Sequence, residues 1–385
     1  MKETLTSRER VIRAIRHEPV DRVPIDLGCH MSTGISMFAY WNLRKHLGLS
    51  TDNIWIPDMV QGLGYVDRDI LERFHCDLML LEPPYERTIR WNPRGEYRFA
   101  IAAEANPELT GSGDWIIRKN NEYMRMPAQG YFFDGGWLAD WGSGTEDERL
   151  TLYAQLAERL FKETPYALNM VGYSHGVGFD DFGGGSFDDA VCACEDPDAV
   201  HAKRRRTLEK NLRRMGKIID RFGQYIQIVS LADDMGTQQG PMCSPLYLEE
   251  FCIPYYRKFC DFVHANSDIK VFLHCCGSIK PVIPLLIEAG IDILNPVQIS
   301  AANMDPRELK DQFGSRICFW GGGCDTQGVL GKSAPDEVAR HVRELVRIFK
   351  PGSGFVFNQV HNIMGNVPPQ NIVTMLDTVY EESFN

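Results

Sequence analysis

From residue 167 to the end, short apolar runs alternate with longer stretches whose apolar positions recur at helical spacing. The runs at 167–173, 225–232, 270–276, 291–296, 317–321 and 354–358 read as buried strands. The stretches at 197–222, 246–265, 279–289, 306–313, 334–349 and 370–382 read as the helices between and after them. Earlier in the chain, Ser7-Arg-Glu-Arg-Val-Ile-Arg-Ala-Ile-Arg opens a helix with Thr6 or Ser7 as its N-cap and Val11, Ile12 and Ile15 on one stripe. Pro19 ends it. A first strand at 21–28 closes on Gly28, a helical segment follows at 67–74, and 77–84 is a second apolar run. Eight strands alternating with helices predict an α/β fold, a (β/α)8 TIM barrel in preference to an open doubly wound sheet.

One region breaks the rhythm. Between 88 and 127, Thr88-Ile-Arg-Trp, Glu96-Tyr-Arg-Phe and Trp115-Ile-Ile-Arg alternate polar and apolar residues, separated by Gly, Asn and Pro. This predicts an antiparallel β insertion at 88–127 within one domain spanning 1–385. Residues 131–141, rich in aromatics and glycine, read as a loop or lid.

Composition narrows the function classes. The net charge of -11 speaks against nucleic acid or an anionic membrane surface as the main partner. Eleven cysteines are scattered without the spacing of a small disulfide framework, which suits reduced thiols. No apolar run approaches membrane-spanning length, and the opening residues carry no apolar signal region, so the expectation is a cytoplasmic protein.

Active sites of such barrels lie at the C-terminal strand ends. There the chain carries His30, Asp233 and Asp234, His274 and Cys276, Asn295, the run Gly321-Gly322-Gly323-Cys324-Asp325, and Asn358, Gln359 and His361. In Val271-Phe-Leu-His-Cys-Cys-Gly277, alternation points His274 and Cys276 to one face and Cys275 to the other. Imidazole and thiolate together with one further ligand suit a zinc site that keeps a position open. The competing reading makes His274 a buried hydrogen-bonded histidine and Cys276 a small core side chain. Cys324 and His361 both follow strands, and the residues alone leave the third ligand open between them. Asp233 and Asp234 read as proton-handling groups, or as partners that orient a ligand histidine, or as turn carboxylates. Asn295 and Asp325 are candidates for contact with a cofactor. The glycine runs 183–185 and 321–323 lack the residues of a P-loop or a dinucleotide fingerprint and read as tight loops. The basic stretch from Lys203 to Arg214 reads as a solvated helix face.

Several stretches together resemble the uroporphyrinogen decarboxylase superfamily, which also holds zinc-dependent corrinoid methyltransferases. The carriers are Ser7-Arg-Glu-Arg-Val with Pro19-Val-Asp-Arg-Val-Pro24, Asp233-Asp-Met-Gly-Thr-Gln238 with Ser244-Pro and Tyr247, Leu273-His-Cys-Cys-Gly277, Gly322 to Asp325, and Pro368-Pro-Gln-Asn-Ile372. True uroporphyrinogen decarboxylases resemble one another in an arginine-rich loop after the first strand. Here that loop is Leu27-Gly-Cys-His-Met-Ser-Thr-Gly34, without arginine. The methyltransferase branch has His-x-Cys at the end of the fifth strand, matching His274 and Cys276, and a cysteine after the eighth strand where this chain has His361. The resemblance implies zinc on His274, Cys276 and His361, with Asp233, Asp234 and His30 handling protons or orienting ligands. It also implies a corrinoid carried on a partner protein, and a small methylated substrate such as an aryl methyl ether or a methylamine. Tyr131, Phe132, Phe133, Trp137 and Trp141 favour the aryl ether. The alternatives are metal-free decarboxylation of a tetrapyrrole or other carboxylate substrate, and tetrapyrrole or corrinoid binding without catalysis.

Overall fold

The computed structural model describes residues 3–384. Seven parallel strands form one curled sheet in the order Phe355–Val356, Cys318–Trp320, Ile293–Asn295, Lys270–His274, Ile228–Ala232, Ala167–Met170, Leu78–Leu81. Each strand lies beside the ones that precede and follow it among these seven, as βα repetition requires. Alternation sorts their side chains. Leu78, Ala167, Ile228, Phe272, Ile293, Cys318, Trp320 and Val356 pack into one buried cluster with Val11 and Ile15 of the first helix. Val229, Leu231, Val271, Leu273, Leu294 and Phe319 belong to the larger core shared with the helices. The first helix, Ser7–Ile15, starts with a reciprocal capping box between Thr6 and Glu9.

The expected first strand is not regular. Pro24 has no N–H to give a ladder, and only residues 24–26 engage the sheet. Phe357 N–H donates to Pro24 O at 2.9 Å, and Asp26 N–H to Phe357 O at 2.9 Å. On the opposite edge Asp77 N–H donates to Ile25 O at 2.8 Å, while Asp77 Oδ2 accepts from Ile25 N–H at 2.9 Å. This segment bridges the two edge strands of the sheet, partly through a side chain. The same Asp77 carboxylate, fully buried, pairs with Arg10 at 2.6 Å and Arg22 at 2.7 Å. Arg10 also holds Asp21 at 2.7 Å.

Antiparallel pairing occupies the region read as an insertion and extends past it. Thr88–Trp91 pairs with Phe99–Ala102, and Trp115–Lys119 with Glu122–Met126. Asp134–Gly135, inside the stretch read as a loop, adds a two-residue strand against Glu122–Met126. Three helices were not anticipated: Met37–His46, Glu146–Glu163 and Phe187–Glu195. The expected helix at 246–265 is two, Pro245–Phe251 and Ile253–Asn266, with Pro254 opening the second. Helix Pro197–Phe222 corrects the reading of its basic run. Arg205, Arg206 and Arg213 are exposed, but Arg204 and Arg214 are buried and paired with Asp189 and Glu146. Among the described residues no helix is long and apolar enough to cross a membrane.

Candidate metal centre and its cavity

Along the strands the interior turns from apolar to polar toward their C-terminal ends. Ser230 Oγ donates to Asn169 Oδ1, and Asn169 Nδ2 to Cys29 O. One step nearer the C-terminal ends, on the strand beside Ser230's, is His274, the last residue of Lys270–His274. Its Nε2 lies 3.3 Å from Cys276 Sγ. The His361 ring approaches edge-on, with a centroid separation of 5.3 Å from His274. One ligand atom from each of these three residues falls within 4.8 Å of the others, the only set of three among the described residues that could hold a metal ion.

Each of the three is held by its surroundings. His274 Nδ1 lies 2.8 Å from Asn295 Oδ1, a carbonyl oxygen that can only accept. The proton is thereby assigned to Nδ1, and Nε2 keeps its lone pair beside the thiol. Asn295 is itself fixed, its Oδ1 accepting from Ser32 Oγ at 2.6 Å and its Nδ2 donating to Trp320 O at 2.9 Å. Cys276 N–H donates to Asp234 Oδ1 at 2.8 Å. Directly after it, Gly277 has φ +91°, and a Cβ there would stand 2.4 Å from the Gly236 carbonyl carbon, so the turn accepts no larger residue. His361 sits in the left-handed region at φ +62°, uncommon outside glycine. Gln359 Nε2 donates to its carbonyl at 2.8 Å, and Asn362 ties the turn to Gly34 N–H and Met31 O.

The electrostatics suit a cation. Burial, with His274 nearby, pushes His361 down to about 4, so it offers a neutral imidazole at neutral pH. Burial and the neighbouring Asp234 push the Cys276 thiol up. Without a metal the thiol keeps its proton, and a bound cation replaces that proton. Asp234 Oδ1 also stands 3.5 Å from His274 Nε2. Donor set and spacing, with the tautomer of His274, therefore fit a metal ion, and His361 fits once its Nδ1 gives up the 2.8 Å bond it accepts from Asn362 N–H.

The other candidate residues separate by position. Asp233 is buried and fully engaged, accepting from Gly184 N–H at 2.8 Å, Gly185 N–H at 3.2 Å and Tyr256 Oη–H at 2.7 Å. Burial, reinforced by Asp181, raises it to about 6. It anchors the 183–185 loop, where a Cβ on Gly185 would lie 1.9 Å from Asp234 O. His30 is buried with Nδ1 2.7 Å from Ser32 Oγ, and its Nε2 has no partner. Burial, then His274 and His361, push it well below the usual histidine range. Asn295 touches His274 and is the group that orients its ring. Asp325 is used as a cap, its oxygens accepting from Gln327 and Gly328 N–H, and lines neither cavity described below. Cys324 is buried outside the set, as is Cys275, whose Sγ accepts from Met235 N–H at 3.3 Å. Ser32 and Tyr256 were not singled out from sequence, nor was Gln298, whose Oε1 accepts from Gly277 N–H at 2.8 Å. Ser32 lies in the loop after the first expected strand and was within reach of that reasoning. Tyr256 comes from a helix, and nothing in its spacing marks it.

A cavity of about 620 Å³ opens onto the centre. His30, His274 and His361 line it together with Tyr173, Asp181, Asp233, Asp234, Met242 and Trp137, and no lysine or arginine is among its lining residues.

Residues 191–382 match the sequence profile of the family described as uroporphyrinogen decarboxylase (URO-D). A uroporphyrinogen decarboxylase of Pseudoalteromonas atlantica is 22% identical over 198 residues, covering 50% of this chain and 50% of that protein. One from Syntrophotalea carbinolica is 25% identical over 209 residues, covering 52% and 58%. The chain spans about half the length of these curated relatives. Among solved structures, a methyltransferase from Methanosarcina mazei superposes with a TM-score of 0.57 at 15% identity, covering 98% of this chain and 99% of that one. At that identity the likeness shows a shared fold.

Proposed function

We propose that this chain, whose residues 191–382 match the uroporphyrinogen decarboxylase family, is a zinc-dependent methyltransferase. In this reading it moves a methyl group between a small methylated substrate and a corrinoid held by a partner protein. It works in the cytoplasm as one catalytic (β/α)8 unit, with 88–127 inserted in it. The observation that carries the reading is the convergence of His274, Cys276 and His361 beside a cavity that the two histidines line and that has no lysine or arginine in its wall. A substrate bearing several carboxylates needs cations to replace its hydration, and this cavity offers Asp181, Asp233 and Asp234 instead. A neutral or cationic methyl donor meets no such cost.

His274, Cys276 and His361 would hold the zinc, which supplies a Lewis-acid position for the heteroatom that carries the methyl group. Asn295 keeps the His274 lone pair directed to that position. His30, kept neutral by burial and lining the same cavity, would handle a proton or help to orient the ligand histidines. Asp234 fixes the Cys276 backbone, and Asp233 holds the loop that forms one wall.

The test is to mix the zinc-loaded chain with a reduced corrinoid protein and a panel of methoxylated and methylated-amine donors, following the visible spectrum of the corrinoid. Conversion of the reduced to the methylated form with at least one donor is expected. No conversion with any donor, together with carbon dioxide release from uroporphyrinogen by the metal-free chain, would establish the decarboxylase alternative.

A further inference from the structure

A neutral imidazole has one lone pair, and the two histidines of the ligand set use theirs differently. His274 carries its proton on Nδ1 toward Asn295 Oδ1, so its lone pair lies on Nε2, beside the Cys276 thiol at 3.3 Å. His361 is arranged the other way. Asn362 N–H donates to its Nδ1 at 2.8 Å, and a backbone N–H can only donate, so this lone pair is already in use. Whichever ring nitrogen joins a metal, that bond is lost. Coordination through Nδ1 displaces Asn362 N–H, and coordination through Nε2 moves the ring proton to Nδ1, where two donors would face each other.

The turn that carries the ring does not depend on this bond. Its backbone stands at φ +62° at His361. Gln359 Nε2 donates to the His361 carbonyl, and the Asn362 side chain binds Gly34 N–H and Met31 O. The ring can therefore change partners while the loop stays in place. It also borders two spaces. His361 lines the 620 Å³ cavity and a second of about 340 Å³, which shares Gln61 and Trp137 with the first and is walled mainly by apolar side chains such as Phe133, Ile363 and Met364. His274 lines only the first of the two.

We propose that His361 is the exchangeable member of the ligand set. It leaves Asn362 N–H to join a metal held by His274 and Cys276, and it returns when a stronger donor takes its metal position. The inference rests on the zinc reading above and is independent of the methyl donor's identity. The exchange falls on His361 because only its departure restores a hydrogen bond. Departure of Cys276 leaves a thiolate beside Asp234, and departure of His274 leaves its Nε2 unpaired while Asn295 still holds the ring in place.

Hydrogen exchange at the Asn362 amide, followed by NMR on the full-length chain, tests this without turnover. In the metal-free chain the amide is expected to be protected, and the His361 ring to carry its proton on Nε2. About one equivalent of zinc is expected to speed that exchange about tenfold, the loss of one hydrogen bond. It is not expected to speed exchange at Cys275 N–H, which donates to Asn295 O at 2.7 Å. Ethanethiol, the probe for a stronger donor, is expected to restore the metal-free rate at Asn362 while elemental analysis finds the zinc content unchanged. Exchange at Asn362 that zinc leaves unchanged or slows overturns the inference and leaves the metal centre standing. So does a zinc-loaded chain in which ethanethiol does not restore the metal-free rate. A chain that takes up no zinc overturns the inference and the zinc reading together.

Discussion

Replacing Asn295 by alanine separates a ligand-orienting role from mere occupancy of the core. The side chain is fully buried and makes three hydrogen bonds, to His274 Nδ1 at 2.8 Å, Ser32 Oγ at 2.6 Å and Trp320 O at 2.9 Å. Each such bond contributes about 1 kcal/mol net, and each buried partner left unpaired costs about 1–3 kcal/mol. Asn295→Ala is therefore expected to destabilise the metal-free chain by about 3–5 kcal/mol, read from urea unfolding. The same change frees the His274 ring to rotate and to exchange tautomers. Metal affinity is expected to fall about 10- to 100-fold, measured by competition with a chromophoric chelator. Asn295→Asp is the control, because it keeps an acceptor for both His274 and Ser32 and gives up only the Trp320 bond. It should bind metal at least as tightly as the parent. If Asn295→Ala binds metal as tightly as the parent and unfolds within about 1 kcal/mol of it, the orienting role is refuted.

Two further predictions concern the fold around the site. Asp77→Ala leaves buried Arg10 and Arg22 without a shared counter-charge and removes the acceptor for Ile25 N–H, so a loss of about 3–5 kcal/mol is expected in urea unfolding. A loss below about 1 kcal/mol would mean that the bridge between the sheet edges is held by other bonds. Asp26, fully buried, is raised by that burial from 3.8 to about 6, although Trp320 Nε1–H and Cys29 N–H donate to it. A raised folded-state value means that this group's contribution is fully present below pH 4 and is lost as the pH rises through 6. The shift corresponds to at most about 3 kcal/mol, so Asp26→Asn should show a shallower fall in stability between pH 4 and 7 than the parent. Parallel curves would refute it.

Which parts of this molecule could be read from its sequence follows from the range of the forces involved. His274 and Cys276 sharing a face is a consequence of the two-residue period of a strand, and it needs no distant information. Helix Glu146–Glu163 was equally local, since Thr145 and Glu148 form a capping box written in the sequence and passed over. The irregular first strand was half legible: Pro24 warns of a broken ladder, but Asp77 supplying the missing acceptor comes from 52 residues away. The third member of the ligand set could not be settled by spacing alone, because Cys324 and His361 both follow strands. The structure buries Cys324 apart, whereas a left-handed turn at His361, tied down by Gln359 and Asn362, brings that ring to His274. Asn295 was read from its strand end as a candidate for contact with a cofactor, not as the partner of His274. Its partners His274, Ser32 and Trp320 come from three other segments, and no local pattern announces them.

The central claim is that His274, Cys276 and His361 form a metal centre, and elemental analysis of the purified full-length chain tests it most directly. About one equivalent of zinc per chain is expected, falling below about a tenth in Cys276→Ala and in His361→Ala while both variants keep the parent's far-ultraviolet circular dichroism. A parent that carries no stoichiometric metal after zinc loading, or a Cys276→Ala variant that retains the full equivalent, would contradict the account.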